Sequence, residues 1–276
     1  IATNYKIYES NIGEGREVMA VVKADAYGHG DAVVAGKLQE IGCKNFAVSN
    51  IDEAIKLRKS GINGLILVLG YIPFSSAKDL IEYDITGTLI SSEYAEDLKG
   101  YCEKNSIEAK KIKFHFAVDT GMNRIGLDGD DTNLCENEIK KYAEVFDVTG
   151  IFTHLCVADT PGEKEFTETQ ISKFEAVADS ISNLKLPYIH YMNSAGGLWT
   201  NDFSCFARLG IILYGLKPDY ANTLPDGIKP ALTWKSVISM VKDVHEGETI
   251  GYGRTYKDER LDEYVKGCID NNIKIG

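Results

Sequence analysis

The stretch Met19-Ala-Val-Val-Lys23-Ala-Asp-Ala-Tyr27-Gly-His-Gly30 runs an apolar strand directly into a lysine and then into a glycine-rich turn. A charged amine at the end of a buried strand needs a partner. Burial lowers an ammonium pKa and frees the neutral amine as a nucleophile, so Lys23 reads equally as a salt-bridge residue or as a covalent cofactor anchor. The strand belongs to a series. Short apolar runs recur at Val18–Ala24, Phe46–Ser49, Leu65–Gly70, Ile85–Ile90, Ile112–Val118, Val148–Val157, Tyr188–Met192 and Phe206–Tyr214, all but the last followed by a stretch of helical period. Runs rich in Val, Ile and Phe without clean alternation suit parallel strands covered on both faces. Eight βα alternations favour an α/β fold of the (β/α)8 TIM-type barrel kind over an open doubly wound sheet.

One helix is legible in detail. In Asn50–Gly61, Ile51, Ala54, Ile55 and Leu57 form an apolar stripe that Ser60-Gly61 stops. The pattern changes near residue 216, giving a barrel over 1–216 and the start of a β-rich domain over 217–276. Lys217-Pro-Asp and Leu224-Pro-Asp-Gly-Ile-Lys-Pro make a turn-rich connection, and Ala231–Val244 reads as extended strand. Within Lys257–Gly276, Leu261-Asp-Glu-Tyr-Val-Lys has helical character.

Composition narrows the partners. The 276 residues are 44% hydrophobic and 26% charged, enough for a large core, and the formal net charge of −11 disfavours nucleic acid or an anionic membrane surface. Six dispersed cysteines, with no CxxC pair and no Cys/His cluster, predict reduced thiols, a cytoplasmic protein and no metal site. No apolar run reaches the roughly 20 residues of a membrane span, and the opening Ile1–Lys6 does not read as a signal peptide.

The wording of seven motifs resembles the alanine racemase family, from roughly residue 15 to residue 256. They are Val22-Lys23-Ala-Asp-Ala-Tyr27-Gly-His-Gly30, Leu67-Val-Leu69-Gly70, Asp119-Thr-Gly-Met-Asn-Arg124-Ile-Gly126, Thr153-His154-Leu, His190-Tyr-Met-Asn193-Ser194-Ala, Ala207-Arg208-Leu-Gly210-Ile211 and Gly251-Tyr252-Gly-Arg-Thr255. Five lie at C-terminal ends of predicted strands, where a barrel places its active site.

The resemblance implies pyridoxal 5′-phosphate (PLP), held by Lys23 through a Schiff base, and racemisation of alanine. Such a reaction needs an electron sink and a proton acceptor on each face of Cα. By resemblance Lys23 serves one face. Tyr252 serves the other from the partner subunit of a homodimer, although a tyrosine between two glycines is otherwise a turn residue. His154 is the group implied to lower the Tyr252 pKa. Arg208 faces the pyridine nitrogen with His190 behind it; taken alone, these two would be a salt-bridge arginine and a core histidine. Phosphate is assigned to Tyr27, Ser194 and amides near Ser194, Gly210 and Ile211, while Leu69 and Asn193 complete the cofactor site. Asn193 is also a plausible helix cap. Arg124 is implied to bind the substrate carboxylate or the cofactor phenolate. His115, His29 and His245 carry no role.

Two departures from the family stand out. Many members carry a modified lysine two residues before the Asp-Thr-Gly-Met motif, where this chain has Ala117, so either another anion or a bound chloride holds Arg124 or the arginine is looser. The family's opening strand and most of its C-terminal β-domain have no counterpart, and a second phosphate tyrosine goes with them; the chain is read as incomplete. Three rival functions share the wording or the fold: a serine or broad small-amino-acid racemase, a non-catalytic PLP-binding barrel and a barrel decarboxylase. Tyr252 argues against the second and Arg208 against the third, since such decarboxylases normally offer the ring nitrogen a carboxylate. Supply of D-alanine for peptidoglycan is the biological role implied.

Overall fold

The computed structural model describes residues 1–199, 204–219, 224–245 and 247–257. The apolar runs form eight parallel strands: β1 Glu17–Val21, β2 Asn45–Val48, β3 Leu65–Val68, β4 Gly87–Leu89, β5 Lys113–Asp119, β6 Asp147–Phe152, β7 Tyr188–His190 and β8 Phe206–Leu209. They pair as β8-β1-β2-β3 and as β4-β5-β6-β7. Parallel bridges Leu67↔Thr86 and Met192↔Ala207 join these two sets at both edges. The sheet therefore closes on itself, and the barrel inferred from eight βα alternations is the fold observed.

Strand period sorts the side chains. Met19, Val21, Ala47, Leu67 and Phe206 form a small interior cluster, whereas Val18, Ala20, Phe46, Val48 and Ile66 join the large cluster packed under the helices. Burying each large apolar side chain stabilises the fold by about 1.5–3 kcal/mol, so this double-sided burial is the main term holding the strands. The surrounding helices have local reasons. In Ile51–Lys59 the Asn50 side chain accepts from Glu53 N–H, and Gly61 at φ +86° supplies the left-handed exit.

Seven of the eight strands end before their apolar runs do, and in three the gap is three residues or more. Val18–Ala24 leaves the strand after Val21, Val148–Val157 after Phe152, and Phe206–Tyr214 breaks at Gly210 into a 3₁₀ turn, Ile211–Tyr214. Past these points Val22, Thr153, Leu155, Ile212, Leu213 and Tyr214 stay buried, so apolarity continues where strand pairing stops.

The turn after β1 is the most unusual backbone in the chain. Ala24, Asp25, Ala26 and Tyr27 all lie at φ +52° to +54°, a left-handed helical turn built without glycine. Each such residue costs about 1–2 kcal/mol. Opposing that strain, Glu53 Oε1 accepts from Ala24 N–H at 2.8 Å while Oε2 accepts from Ser49 N–H at 2.8 Å and Ser49 Oγ at 2.9 Å. Lys56 ties Asp25 and buried Asp31 together at 3.1 and 2.6 Å. The outcome is a fixed launch point for Lys23 and Tyr27, which both line one cavity.

The first compact unit runs from Ile1 to Ala231. The turn-rich connection is pinned to it: Asn4 Nδ2 donates to Leu213 O and Lys229 O, and Ala231 N–H donates to Tyr214 O. The second unit is Leu232–Gly276. Its strand pairing, among the described residues, is the antiparallel Thr249–Ile250 with Tyr256–Lys257. The strand expected over Ala231–Val244 is not formed. A strand needs a neighbour to receive its backbone hydrogen bonds, and here Leu232, Trp234, Val237, Met240 and Val241 stand exposed with no ladder. The helical reading of Lys257–Gly276 lies, beyond Lys257, outside the described residues. No helix among the described residues is long and apolar enough to cross a membrane.

Candidate active site at the C-terminal rim of the barrel

Residues that leave the C-terminal ends of β1, β3, β6, β7 and β8 converge on one cavity of about 200 Å³. Lys23, Tyr27, Leu69, His154, Asn193, Ser194, Arg208, Gly210 and Ile211 all line it. These are nine of the residues singled out in the sequence, brought together from 189 positions of chain because parallel strands deliver their ends to one rim. Val21, Ala195, Asp159 and Pro218 line it as well and were not anticipated. Asp159 carries no signal beyond lying in the loop after β6, and Pro218 comes from the turn-rich connection.

Lys23 follows β1 half-buried, and its amine has no ion pair or hydrogen bond among the described residues. Of the two readings of this lysine, the salt bridge is therefore not made.

Opposite it is a cradle of small groups. Gly210 N–H donates to Ser194 Oγ at 2.8 Å, which leaves the serine hydroxyl hydrogen free to donate. A Cβ on Gly210 would lie 3.0 Å from Tyr27 Oη and 3.7 Å from Ser194 Oγ, so glycine keeps this corner open. Ile211 and Ile212 begin a 3₁₀ turn whose first N–H groups have no partner within it. Hydroxyls and free amides around a space that a methyl would fill suit a phosphate dianion. The Tyr27 ring packs tilted against Tyr214 at 4.7 Å between centroids, and partial burial raises its pKa. Asn193 is a cap: its Oδ1 accepts from Gly196 N–H at 2.8 Å and its Nδ2 donates to Leu155 O at 2.9 Å. Both ends of its amide are spent on the loop.

Arg208 forms the floor. It is 3% exposed, and every acceptor on its Nη atoms is neutral. Nη1 donates to His190 Nδ1 at 2.8 Å; Nη2 donates to Thr153 O at 2.8 Å, Tyr191 O at 3.1 Å and His154 Nδ1 at 3.2 Å. Its Nε–H has no acceptor among the described residues. Burial draws the guanidinium down to about 9, still charged at neutral pH. Burial, reinforced by that cation, holds His154 down at about 3 and His190 well below its usual value, so both rings are neutral. His190 itself is fully buried behind Arg208, between the rings of Phe152 and Phe206.

Arg124 is exposed, on the loop after β5, and makes no ion pair among the described residues. Ala117, Asp119, Arg124, Phe152, Thr153 and His154 surround a second, small cavity of about 20 Å³. Ala117 leaves room there for about one water or a small ion. Tyr252 belongs to the second unit, where its side chain is fully exposed.

An unpaired strand-end lysine, a corner of hydroxyls and amides and a buried arginine without a carboxylate make a donor set that PLP would fit. Comparison with known proteins gives the family. The family profile "Alanine racemase, N-terminal domain" matches residues 1–218. The chain is 37% identical to the alanine racemase of Ligilactobacillus salivarius over 251 residues, covering 90% of this chain and 66% of that protein. The crystal structure of alanine racemase from E. faecalis superposes with a TM-score of 0.83 at 32% identity, covering 94% of this chain and 70% of that one. A histidine racemase from Leuconostoc mesenteroides subsp. sake superposes at 0.78 with 26% identity, covering 93% and 68%. The chain belongs to the alanine racemase family, and it spans about two-thirds of the length of the curated relatives it matches.

Proposed function

We propose that this chain is the cofactor-binding part of a PLP-dependent racemase that interconverts L- and D-alanine by two-base proton transfer at Cα. The observation that carries the reading is the free Lys23 amine facing the Ser194, Gly210 and Tyr27 cradle across a cavity floored by Arg208. Bound PLP supplies the electron sink that makes the Cα proton acidic. Every other part is the protein's own. Ser194 Oγ, Tyr27 Oη and the amide of Ile211 hold the phosphate, while Gly210 orients Ser194 through its N–H and leaves the space open. Arg208 offers the ring nitrogen a donor that cannot give up its proton, so that nitrogen stays unprotonated and the stabilisation of charge at Cα stays moderate, which disfavours transamination.

With PLP bound, the Lys23 amine would exchange the proton on one face of Cα and the Tyr252 phenol the proton on the other. His154 supports that second role. Its Nδ1 is occupied by Arg208, so its hydrogen is on Nε2, and an N–H donated to a phenolate favours the ionised, basic form. Arg124 binds the substrate carboxylate, and a small anion in the cavity beside Ala117 holds it in place of a modified lysine. The active form is a cytoplasmic homodimer in which Tyr252 serves the partner's barrel, and its product supplies D-alanine for the cell wall.

The test is incubation of the full-length protein, with PLP, with single enantiomers of alanine, serine and histidine, followed by chiral chromatography. Alanine should interconvert fastest. Faster turnover of serine or histidine would reassign the substrate, and no interconversion of any of the three by dimeric, PLP-loaded protein would reject a racemase.

A further inference from the structure

Arg208 carries a buried charge with no carboxylate beside it, so its stabilisation depends on how neutral groups are oriented. A guanidinium only donates; the Nδ1 of His190, 2.8 Å from Nη1, must accept, and the His190 hydrogen must be on Nε2. That Nε2 lies 3.0 Å from Nδ1 of His115. His115 Nδ1 therefore accepts in turn, and its own hydrogen is on Nε2. Two imidazoles stand in series, lone pairs toward the cation and N–H ends away from it.

The series ends on an anomaly. His115 is fully buried in the middle of β5, and its Nε2 has no hydrogen-bond partner among the described residues. A buried donor left unpaired suffers its full desolvation penalty. A leucine or phenylalanine at 115 would fill this layer without it. The fold also makes room for the ring: a Cβ on Gly150, its register partner in β6, would lie 3.0 Å from His115 Cδ2 and 2.5 Å from Tyr188 O. The favourable contact that offsets these costs is the one at Nδ1, and chains of hydrogen bonds polarise one another when they run toward a charge.

We propose that His115 is a positioning residue for Arg208, acting through His190: its Nδ1 takes the His190 hydrogen and so keeps His190 an acceptor for the guanidinium. Arg208 is thereby held charged and in place without a neutralising carboxylate. The proposal rests on the reading that Arg208 faces the cofactor ring nitrogen, but the relay itself can be observed without cofactor.

The experiment uses full-length protein labelled with ¹⁵N-histidine, free of PLP, and records long-range ¹H–¹⁵N spectra from pH 5 to 8. Both His190 and His115 should appear as neutral rings with hydrogen on Nε2, coupled across the His190 to His115 hydrogen bond. In His115→Phe the His190 signature should be lost, the Kd for PLP should rise about tenfold, and the visible absorption maximum of bound PLP should move. His115→Asn, whose side-chain oxygen can stand near the place of Nδ1, should restore all three. His190 carrying its hydrogen on Nδ1 in the parent would overturn the proposal, as would a folded His115→Phe with the parent's His190 signature and spectrum. Should His115→Phe fail to fold, the parent spectra and the Asn variant decide. Failure of the parent to bind PLP would sink the functional reading instead, leaving the nitrogen spectra to judge the relay.

Discussion

Arg208 Nη2 lies 3.2 Å from His154 Nδ1, and that contact makes His154 a neutral ring with its one hydrogen facing away from the cation. Below about pH 6.5 the histidines of the unfolded chain take up protons that the folded chain refuses. His154 and His115, both held near 3, therefore leave stability at its full value above that pH and withdraw it as pH falls toward 3. Each contributes a slope of about 1.4 kcal/mol per pH unit. Urea midpoints at pH 7, 6 and 5 should fall steadily, and His154→Gln should reduce the slope by about one proton. An unchanged slope in that variant would mean His154 protonates in the folded state.

The cradle makes a sharper prediction about phosphate. Gly210→Ala places a methyl 3.0 Å from Tyr27 Oη, at φ −108° and ψ −101°, outside the main regions open to residues with a side chain, so some stability is lost with it. Pyridoxal binding reports that general cost, and phosphate binding the added methyl. The Kd for PLP, followed by absorbance titration, should rise about tenfold or more, whereas binding of pyridoxal, which lacks the phosphate, should change little. Equal losses for both ligands would place the phosphate elsewhere.

The left-handed turn predicts opposite effects at two neighbouring sites. Glu53→Ala removes the acceptor from Ala24 N–H and Ser49 N–H and should lower stability by about 1–3 kcal/mol. Ala24→Gly relieves one strained residue at φ +52° and should raise it by about 1 kcal/mol. Urea unfolding of both variants checks the pair; destabilisation by Ala24→Gly would show that the turn is not strained.

The barrel and most of the rim were legible in the sequence because each strand end announces itself as an apolar run meeting a polar or glycine-rich turn, and Lys23, His154, Ser194, Arg208 and Gly210 all stand at such junctions. The left-handed turn was not legible. In Ala-Asp-Ala-Tyr only the aspartate tolerates positive φ, and then as a single residue, and the acceptor that holds the turn, Glu53, looks like an ordinary first-turn carboxylate of a surface helix. His115 was passed over for a related reason. It lies in mid-strand, and its partner is 75 residues away, brought into register only when β5, β6 and β7 pair. The strand expected over 231–244 failed differently: its composition is right, and what it lacks is a neighbour.

The role given to Tyr252 predicts complementation. Lys23→Ala and Tyr252→Phe chains of the full-length protein should each be inactive, and mixing them should restore partial activity, because one hybrid site then holds both bases. Activity of each mixture, with heterodimers verified by mass, is the readout. No recovery in verified heterodimers would place both bases on one chain.

If Lys23 is the covalent anchor of PLP, borohydride reduction of the PLP-loaded protein fixes the cofactor to it, and peptide mapping reads where it is attached. A single phosphopyridoxyl adduct on Lys23 is predicted, with loss of both the adduct and the visible band in Lys23→Ala. An adduct on another lysine, or its persistence in Lys23→Ala, would contradict the account.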